Sequence, residues 1–226
     1  MGEIVEFPSN GGTASGYLAT PQSGTGLPLV VIQEWWGLVP HIQEVADRFA
    51  AEGFLALVPD LYHGETTTEP DEAGKLMMAM NIEQAGQDMS GAVDKVAQLT
   101  GRPHVGVTGF CMGGGLALIL AALRPDRVKA VVPWYGLIPW AGAQPDWSRL
   151  EAAVLGHYAE NDEYFTPDLA RELEKTLRDL GKDATIKIHP GTQHAFFNDH
   201  RPEVHDAAES AAAYADTVTF LKEKLS

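Results

Sequence analysis

Gly109-Phe110-Cys111-Met112-Gly113 follows an apolar run, Val105 to Thr108, and leads into a second apolar run beyond Gly115. The first run has the β-branched composition of a buried strand and the second the length of a buried helix, so the pentapeptide reads as a strand-to-helix turn. Its pattern is small-x-nucleophile-x-small, the spacing of a nucleophile elbow, with cysteine at the centre. Glycine at both flanking positions has a steric cause, because the chain turns so sharply that side chains there would collide. The turn lifts Cys111 into the open, and the free N–H groups of the helix end face it, which favours thiolate over thiol. Gly113, Gly114 and Gly115 let the helix start press against the sheet. A free cysteine is most often a buried core residue. The nucleophile reading takes precedence here because glycines fill both required places and because an acid and a histidine follow in the chain.

Outward from the elbow, short β-rich runs alternate with helical stretches. The runs are Leu29 to Ile32, Phe54 to Val58, Val105 to Thr108, Val128 to Val132, Ala153 to His157 and Thr185 to His189. This alternation predicts an α/β fold, a mostly parallel central sheet with helices on both faces. Residues 3 to 19 depart from it and predict an antiparallel edge hairpin: Ile4 and Val5, a Ser9-Asn10-Gly11-Gly12 turn, then Ala14 to Leu18. Ile42, Val45, Ala46 and Phe49 form one helical stripe, with Gly53 placed to end it. Thr166-Pro167-Asp168 supplies an N-cap, a first-turn proline and a first-turn acid, after which Leu169, Leu173 and Leu177 form a stripe that stops near Gly181. Ala207, Ala211, Tyr214, Val218, Leu221 and Leu225 form the last stripe. Residues 61 to 82 predict a loop and a short helix over the sheet edge, with Met77, Met78 and Met80 as irregular core filler. Trp134 to Trp147 is a long connection placed to border a pocket.

At 226 residues the chain suits one α/β domain spanning 1–226. Sixteen basic against 31 acidic side chains give a formal charge of -15. That charge disfavours nucleic acid and anionic lipid as partners, and an anionic substrate would need a local cation. The first residues carry neither a basic region nor an apolar run, and no stretch approaches the ~18 apolar residues of a membrane span. A cytoplasmic protein is expected. One cysteine excludes an internal disulfide framework and any multi-thiolate metal site. The spacing of His194, His200 and His205 matches no common ligand motif, so neither metal nor cofactor is expected.

Active groups gather at the carboxyl ends of strands in such sheets. Three ends carry chemistry: the run ending at Thr108 leads to Cys111, Ala153 to His157 leads to Asn161-Asp162, and Thr185 to His189 leads to Gly191-Thr192-Gln193-His194. Nucleophile, acid, histidine is the chain order of α/β-hydrolase triads. His194 is then the general base and later acid, and Asp162 holds its tautomer. Glu163 and Asp199 are the other acids near enough in sequence to serve. Two N–H groups should face a developing oxyanion: Met112, just after the nucleophile, and Trp35, in the loop after Leu29 to Ile32. Trp35, Trp36, Tyr135, Phe196 and Phe197 suit an apolar pocket or core packing equally.

Gln33-Glu34-Trp35-Trp36-Gly37, Pro59-Asp60-Leu61-Tyr62, Gly109 to Gly114, Trp134-Tyr135-Gly136 and Gly191 to Phe196 together resemble the dienelactone hydrolase family, in the right order over nearly the whole chain. The resemblance implies an α/β-hydrolase fold and a triad of Cys111, Asp162 and His194. It further implies that Glu34 contacts the resting thiol and that substrate binding passes the thiol to the histidine. The family's namesake substrate is a small lactone whose carboxylate is held by arginines. One of these normally lies four residues after the histidine, where this chain has Asn198, and the stretch 68 to 74 holds no arginine for the second. Candidate substrate contacts are therefore Trp36, Tyr135, Phe196 and Asn198, with Arg201 as a nearby cation. The expected activity is hydrolysis of small lactones or esters with a small-molecule substrate as partner. The alternatives are a general carboxylesterase or thioesterase without lactone preference and a non-catalytic binding protein on the same scaffold.

Overall fold

The β-rich runs pair into one eight-stranded sheet in a computed structural model that describes residues 2–9 and 11–226, the side chain of Ala141 excepted. Strands β1 (Glu3–Ser9) and β2 (Gly12–Ala19) form the expected antiparallel hairpin, with Ser9 opposite Gly12. Asn10, in the expected turn, lies outside the described residues. Strands β3 (Leu27–Ile32), β4 (Phe54–Pro59), β5 (Val105–Phe110), β6 (Val128–Trp134), β7 (Ala153–Asn161) and β8 (Ala184–Gln193) are mutually parallel. The order across the sheet is β1-β2-β4-β3-β5-β6-β7-β8, with β2 antiparallel to β4.

Among the described residues there are six helices, α1 (Pro40–Ala51), α2 (Pro70–Ala79), α3 (Ile82–Thr100), α4 (Met112–Leu123), α5 (Pro167–Asp179) and α6 (Ala207–Leu225), and all but α2 cover the two faces. Successive strand residues point to opposite faces. Val30 and Ile32 therefore pack with α3 and α4, while Leu29 and Val31 pack with α1 and α6. Burial on both sides is why the central strands read as continuous apolar runs. Among the described residues no helix is long and apolar enough to cross a membrane.

Local signals set several helix ends. Thr166 Oγ1 accepts from the N–H of Leu169, as its N-cap reading requires. Helix α3 begins inside the stretch that the sequence reads as irregular, where Asn81 caps it by accepting from Gln84 N–H at 3.1 Å, and Gly101 closes it with φ 65°. Faces were less legible. Leu173 and Leu177 are buried, but Leu169 is 46% exposed and Ala170 takes the buried place. On α6 the buried face is Ser210, Ala213, Thr217, Val218, Leu221 and Leu225, leaving Ala207 and Ala211 exposed. An apolar count misses Ser210 and Thr217, which bury because Ser210 Oγ donates to the Phe196 carbonyl at 2.8 Å and Thr217 Oγ1 lies 3.1 Å from His157 Nε2. The methionines are not a uniform core filler either: Met77 and Met80 pack partly buried against the core, Met77 also standing on a cavity wall, while Met78 is 74% exposed.

At the elbow the backbone itself is the constraint. Cys111 sits at φ 54°, ψ −119°. A Cβ on Gly109 would stand 2.1 Å from the Gly113 carbonyl oxygen, and one on Gly113 would stand 2.5 Å from the Ile32 oxygen and 2.4 Å from that of Gln33. Neighbours that are backbone atoms cannot swing aside. Gly113→Ala is therefore expected to lower the free energy of unfolding by about 3 kcal/mol in urea titration. Gly74→Ala, on α2 with nothing within 4 Å of its added Cβ, is expected to raise it by about 0.5–1 kcal/mol.

Candidate active site

Three strand ends converge on one place. Strand β5 delivers Cys111 through the elbow, β7 ends at Asn161 just before Asp162, and β8 ends at Gln193 just before His194. His194 Nδ1 is 2.7 Å from Asp162 Oδ2, and His194 Nε2 is 3.2 Å from Cys111 Sγ. The Asp162 carboxylate is held from its other side, where Oδ1 accepts from the N–H groups of Tyr164 at 2.8 Å and Phe165 at 2.9 Å. Its side chain is fully buried. Neither of the other acids meets the ring: Asp199 pairs with Arg48 at 2.5 Å, and Glu163 is exposed on the cavity rim.

Burial works against a charged His194 ring, but hydrogen bonds to Asp162 and Cys111 and their negative charge outweigh it and hold the imidazolium up to about 10. Such a ring can store a proton beside sulfur and return it to a departing group. Among the described residues no hydrogen bond takes the N–H groups of Met112 and Trp35, as expected for the first turn of α4 and for a loop opening onto a cavity.

Glu34 follows β3 by two residues and is 3% exposed. Burial pushes its carboxyl up from the ordinary range, against the pull of His194, the Asn198 hydrogen bond and Arg201. Asn198 Nδ2 donates to Glu34 Oε2 at 2.7 Å, and among the described residues Glu34 Oε1 has no hydrogen-bond partner, so the expected hydrogen bond to the Cys111 thiol is not formed and Sγ meets His194 instead.

A cavity of about 660 Å³ opens over these groups, and Glu34, Trp35, Trp36, Cys111 and His194 all line it. Three expected contact residues lie behind its wall instead. Tyr135 is fully buried and meets His194 edge-on, ring centroids 5.3 Å apart. Phe196 is fully buried against Tyr135 at 5.5 Å and Trp134 at 6.1 Å. Asn198 turns inward to Glu34, and its Oδ1 accepts from the His200 N–H at 3.1 Å. Aromatic rings at strand ends gain more by stacking on one another than by facing water. The wall also holds residues that the sequence reading did not assign, among them Pro70 and Met77 of α2, Tyr164 and Phe165 beside Asp162, and Val204. Arg201 reaches it too. Arg201 was expected there as a nearby cation, and proximity to His194 in sequence is the one signal for Val204. Among the described residues no group of three or more His, Cys, Asp or Glu side chains is arranged to hold a metal ion.

The likeness to known proteins extends over the whole chain. A protein named "Protein usf" from Aquifex pyrophilus is 39% identical over 233 residues, covering 100% of both chains. A protein named "Putative carboxymethylenebutenolidase" from Aquifex aeolicus is 36% identical, covering 98% of each. Among solved structures, one named "Putative Dienelactone Hydrolase", from Klebsiella pneumoniae, superposes with a TM-score of 0.87 at 28% identity over 98% of each chain. The family model described as "Dienelactone hydrolase family" matches residues 14–225, from the second strand of the hairpin to the last helix and through all three strand ends. The chain belongs to the dienelactone hydrolase family.

Proposed function

We propose that this hydrolase cleaves small carboxylic esters or lactones with Cys111 as nucleophile. The observation that carries the reading is the unbroken line from Asp162 Oδ2 through His194 to Cys111 Sγ, at 2.7 and 3.2 Å. In the first half-reaction the sulfur lone pair forms a bond to the carbonyl carbon, and the carbonyl π electrons move to oxygen. The N–H groups of Met112 and Trp35 hold that oxyanion. Its collapse breaks the carbon–oxygen bond, and the leaving oxygen takes the proton from His194 Nε2, leaving a thioester on Cys111. In the second half-reaction His194 takes a proton from water as it attacks the thioester, and the sulfur leaves with its electron pair. The free acid departs, and the proton on His194 again faces sulfur. Glu34 is assigned as the partner of the resting thiol; as substrate binds, the thiol passes its proton to His194 Nε2, 3.2 Å from Sγ, which frees the sulfur lone pair and supplies the proton used on the leaving oxygen. Its support is a buried carboxyl with one oxygen held by Asn198 and the other open.

Carboxylate-bearing lactones are the namesake substrates, but one specific feature favours the broader esterase or thioesterase reading. Among the described residues Arg201 is the one arginine or lysine on the cavity wall, and Glu203 already accepts from its Nε at 2.9 Å. A charge-assisted contact contributes about 1.5–3 kcal/mol, and a guanidinium already partnered offers less of it.

Hydrolysis of p-nitrophenyl acetate and of a carboxylate-bearing dienelactone by wild type and Cys111→Ala decides between these. Cys111→Ala is expected to lower kcat/KM for any true substrate by on the order of 10^4-fold. Cys111-dependent cleavage of both esters with no lactone preference is the expected pattern. A strong dienelactone preference would restore the namesake activity, and no Cys111-dependent turnover of either would leave a binding protein.

Asp162→Asn tests the ring. It is expected to reduce kcat/KM by about 10^3- to 10^4-fold. The sign of its pH effect follows from a folded-state value of about 10 against an ordinary 6.5. The charged ring stabilises the fold fully below the ordinary value, and that contribution is lost as pH rises through about 10. Nitrogen-15 NMR of His194 is expected to show ring deprotonation at least about one pH unit lower in Asp162→Asn. An unmoved titration would show that Asp162 does not hold the proton.

A further inference from the structure

A second cavity, of about 460 Å³, lies beside the first, and Tyr164 and Phe165 line both. Its walls come from three separate parts of the chain. Leu118 projects from α4; Leu137, Ile138 and Trp147 come from the long connection after β6; and Leu173 comes from α5. Among the described residues Glu172 is its single charged lining residue. At the mouth Leu169 is 46% exposed, and Tyr164, on the shared edge, is 74% exposed. Gln144 and Thr176 add uncharged polar groups to this largely apolar wall.

We propose that this groove binds the uncharged apolar arm attached to the leaving oxygen of the substrate, so that the enzyme selects esters of extended alkyl or aryl alcohols. The inference rests on the ester-hydrolase reading of Cys111 and His194. Chemistry decides which arm occupies it. The leaving oxygen must approach His194 Nε2 to take its proton, so the arm on that oxygen departs past the His194 ring. Tyr164 and Phe165 flank this ring, with centroids 5.5 and 5.9 Å away, and they are the two residues that continue into the groove. The acyl arm is directed instead toward the Trp35, Trp36 and Met77 side of the first cavity. Charge decides the character of the occupant. With Glu172 and no cation among its described lining residues, the groove disfavours an anionic tail. The long Trp134 to Trp147 connection thereby acquires a task, since its residues 137 to 147 supply one wall.

The test compares ethyl acetate with hexyl acetate by pH-stat, in wild type, Leu169→Trp and Thr176→Trp. Both substitutions add an indole to the groove from α5. Wild type is expected to favour hexyl over ethyl acetate in kcat/KM by about tenfold or more, and each tryptophan variant is expected to remove most of that ratio. The readout is a ratio within each protein, so a partial loss of folded enzyme does not mimic the effect. An equal series in the acid arm, p-nitrophenyl acetate against octanoate, is expected to keep its ratio in both variants. An unchanged hexyl-to-ethyl ratio in both variants would overturn the groove, as would a ratio change confined to the acid series. Absence of Cys111-dependent cleavage of every ester would overturn the catalytic reading and the groove together.

Discussion

The close crossing of backbone at the elbow is the constraint on which the rest depends. Cys111 at φ 54° holds a conformation that side-chain-bearing residues avoid, at a cost of about 1–2 kcal/mol. Such strain persists only where the surroundings over-determine it. Cys111 N–H donates to the Trp134 carbonyl at 3.0 Å, Gly114 N–H donates to the Cys111 carbonyl at 2.9 Å, and a Cβ on Gly136 would stand 1.9 Å from that same oxygen. Helix α4 is buried along nearly its whole length, so it cannot withdraw to relieve the crossing. Apolar burial of one helix thereby presents a thiol in a fixed direction.

The histidine side is braced by polar groups instead. Behind His194, His157 Nδ1 lies 2.9 Å from His189 Nε2, and His189 Nδ1 lies 2.8 Å from Glu209 Oε2. Burial holds His157 well below its ordinary value, so the ring is neutral and offers one donor and one acceptor, which is what a chain between two rings and a hydroxyl requires. Thr192 Oγ1 donates to the His189 carbonyl at 2.8 Å, and the Phe196 carbonyl accepts from both Ser210 Oγ and the Asp206 N–H. The loop that carries His194 is thus tied to β7, β8 and α6 at once. This is why α6 buries a serine and a threonine where a purely apolar stripe was expected.

Charge follows the same logic of local exception. The chain is strongly acidic, yet a carboxyl sits buried within the site, held by an amide. Burying Glu34 is tolerable because Asn198 meets one oxygen and because burial favours the neutral form. An amide at 198 does this without a charge, whereas an arginine there would pull the carboxyl toward its ionised form.

Local physics made much of this molecule legible in one dimension. The elbow needs glycines at 109 and 113, the α5 start needs Thr166 and Pro167, and parallel strands buried on both faces need unbroken apolar runs. The chain order of Cys111, Asp162 and His194 follows from strand ends facing one way, and the family follows from the motifs those ends carry. Tertiary structure alone decided which side of each residue faces the cavity. Tyr135 and Phe196 turned into an aromatic stack, Asn198 turned back to a carboxyl 164 residues away in sequence, and Arg201, Met77 and Phe165 came to the wall from separate elements. Periodicity records only how apolar residues repeat along one element. Cavity walls are made where several elements meet, and that meeting is set by packing between residues far apart in the chain.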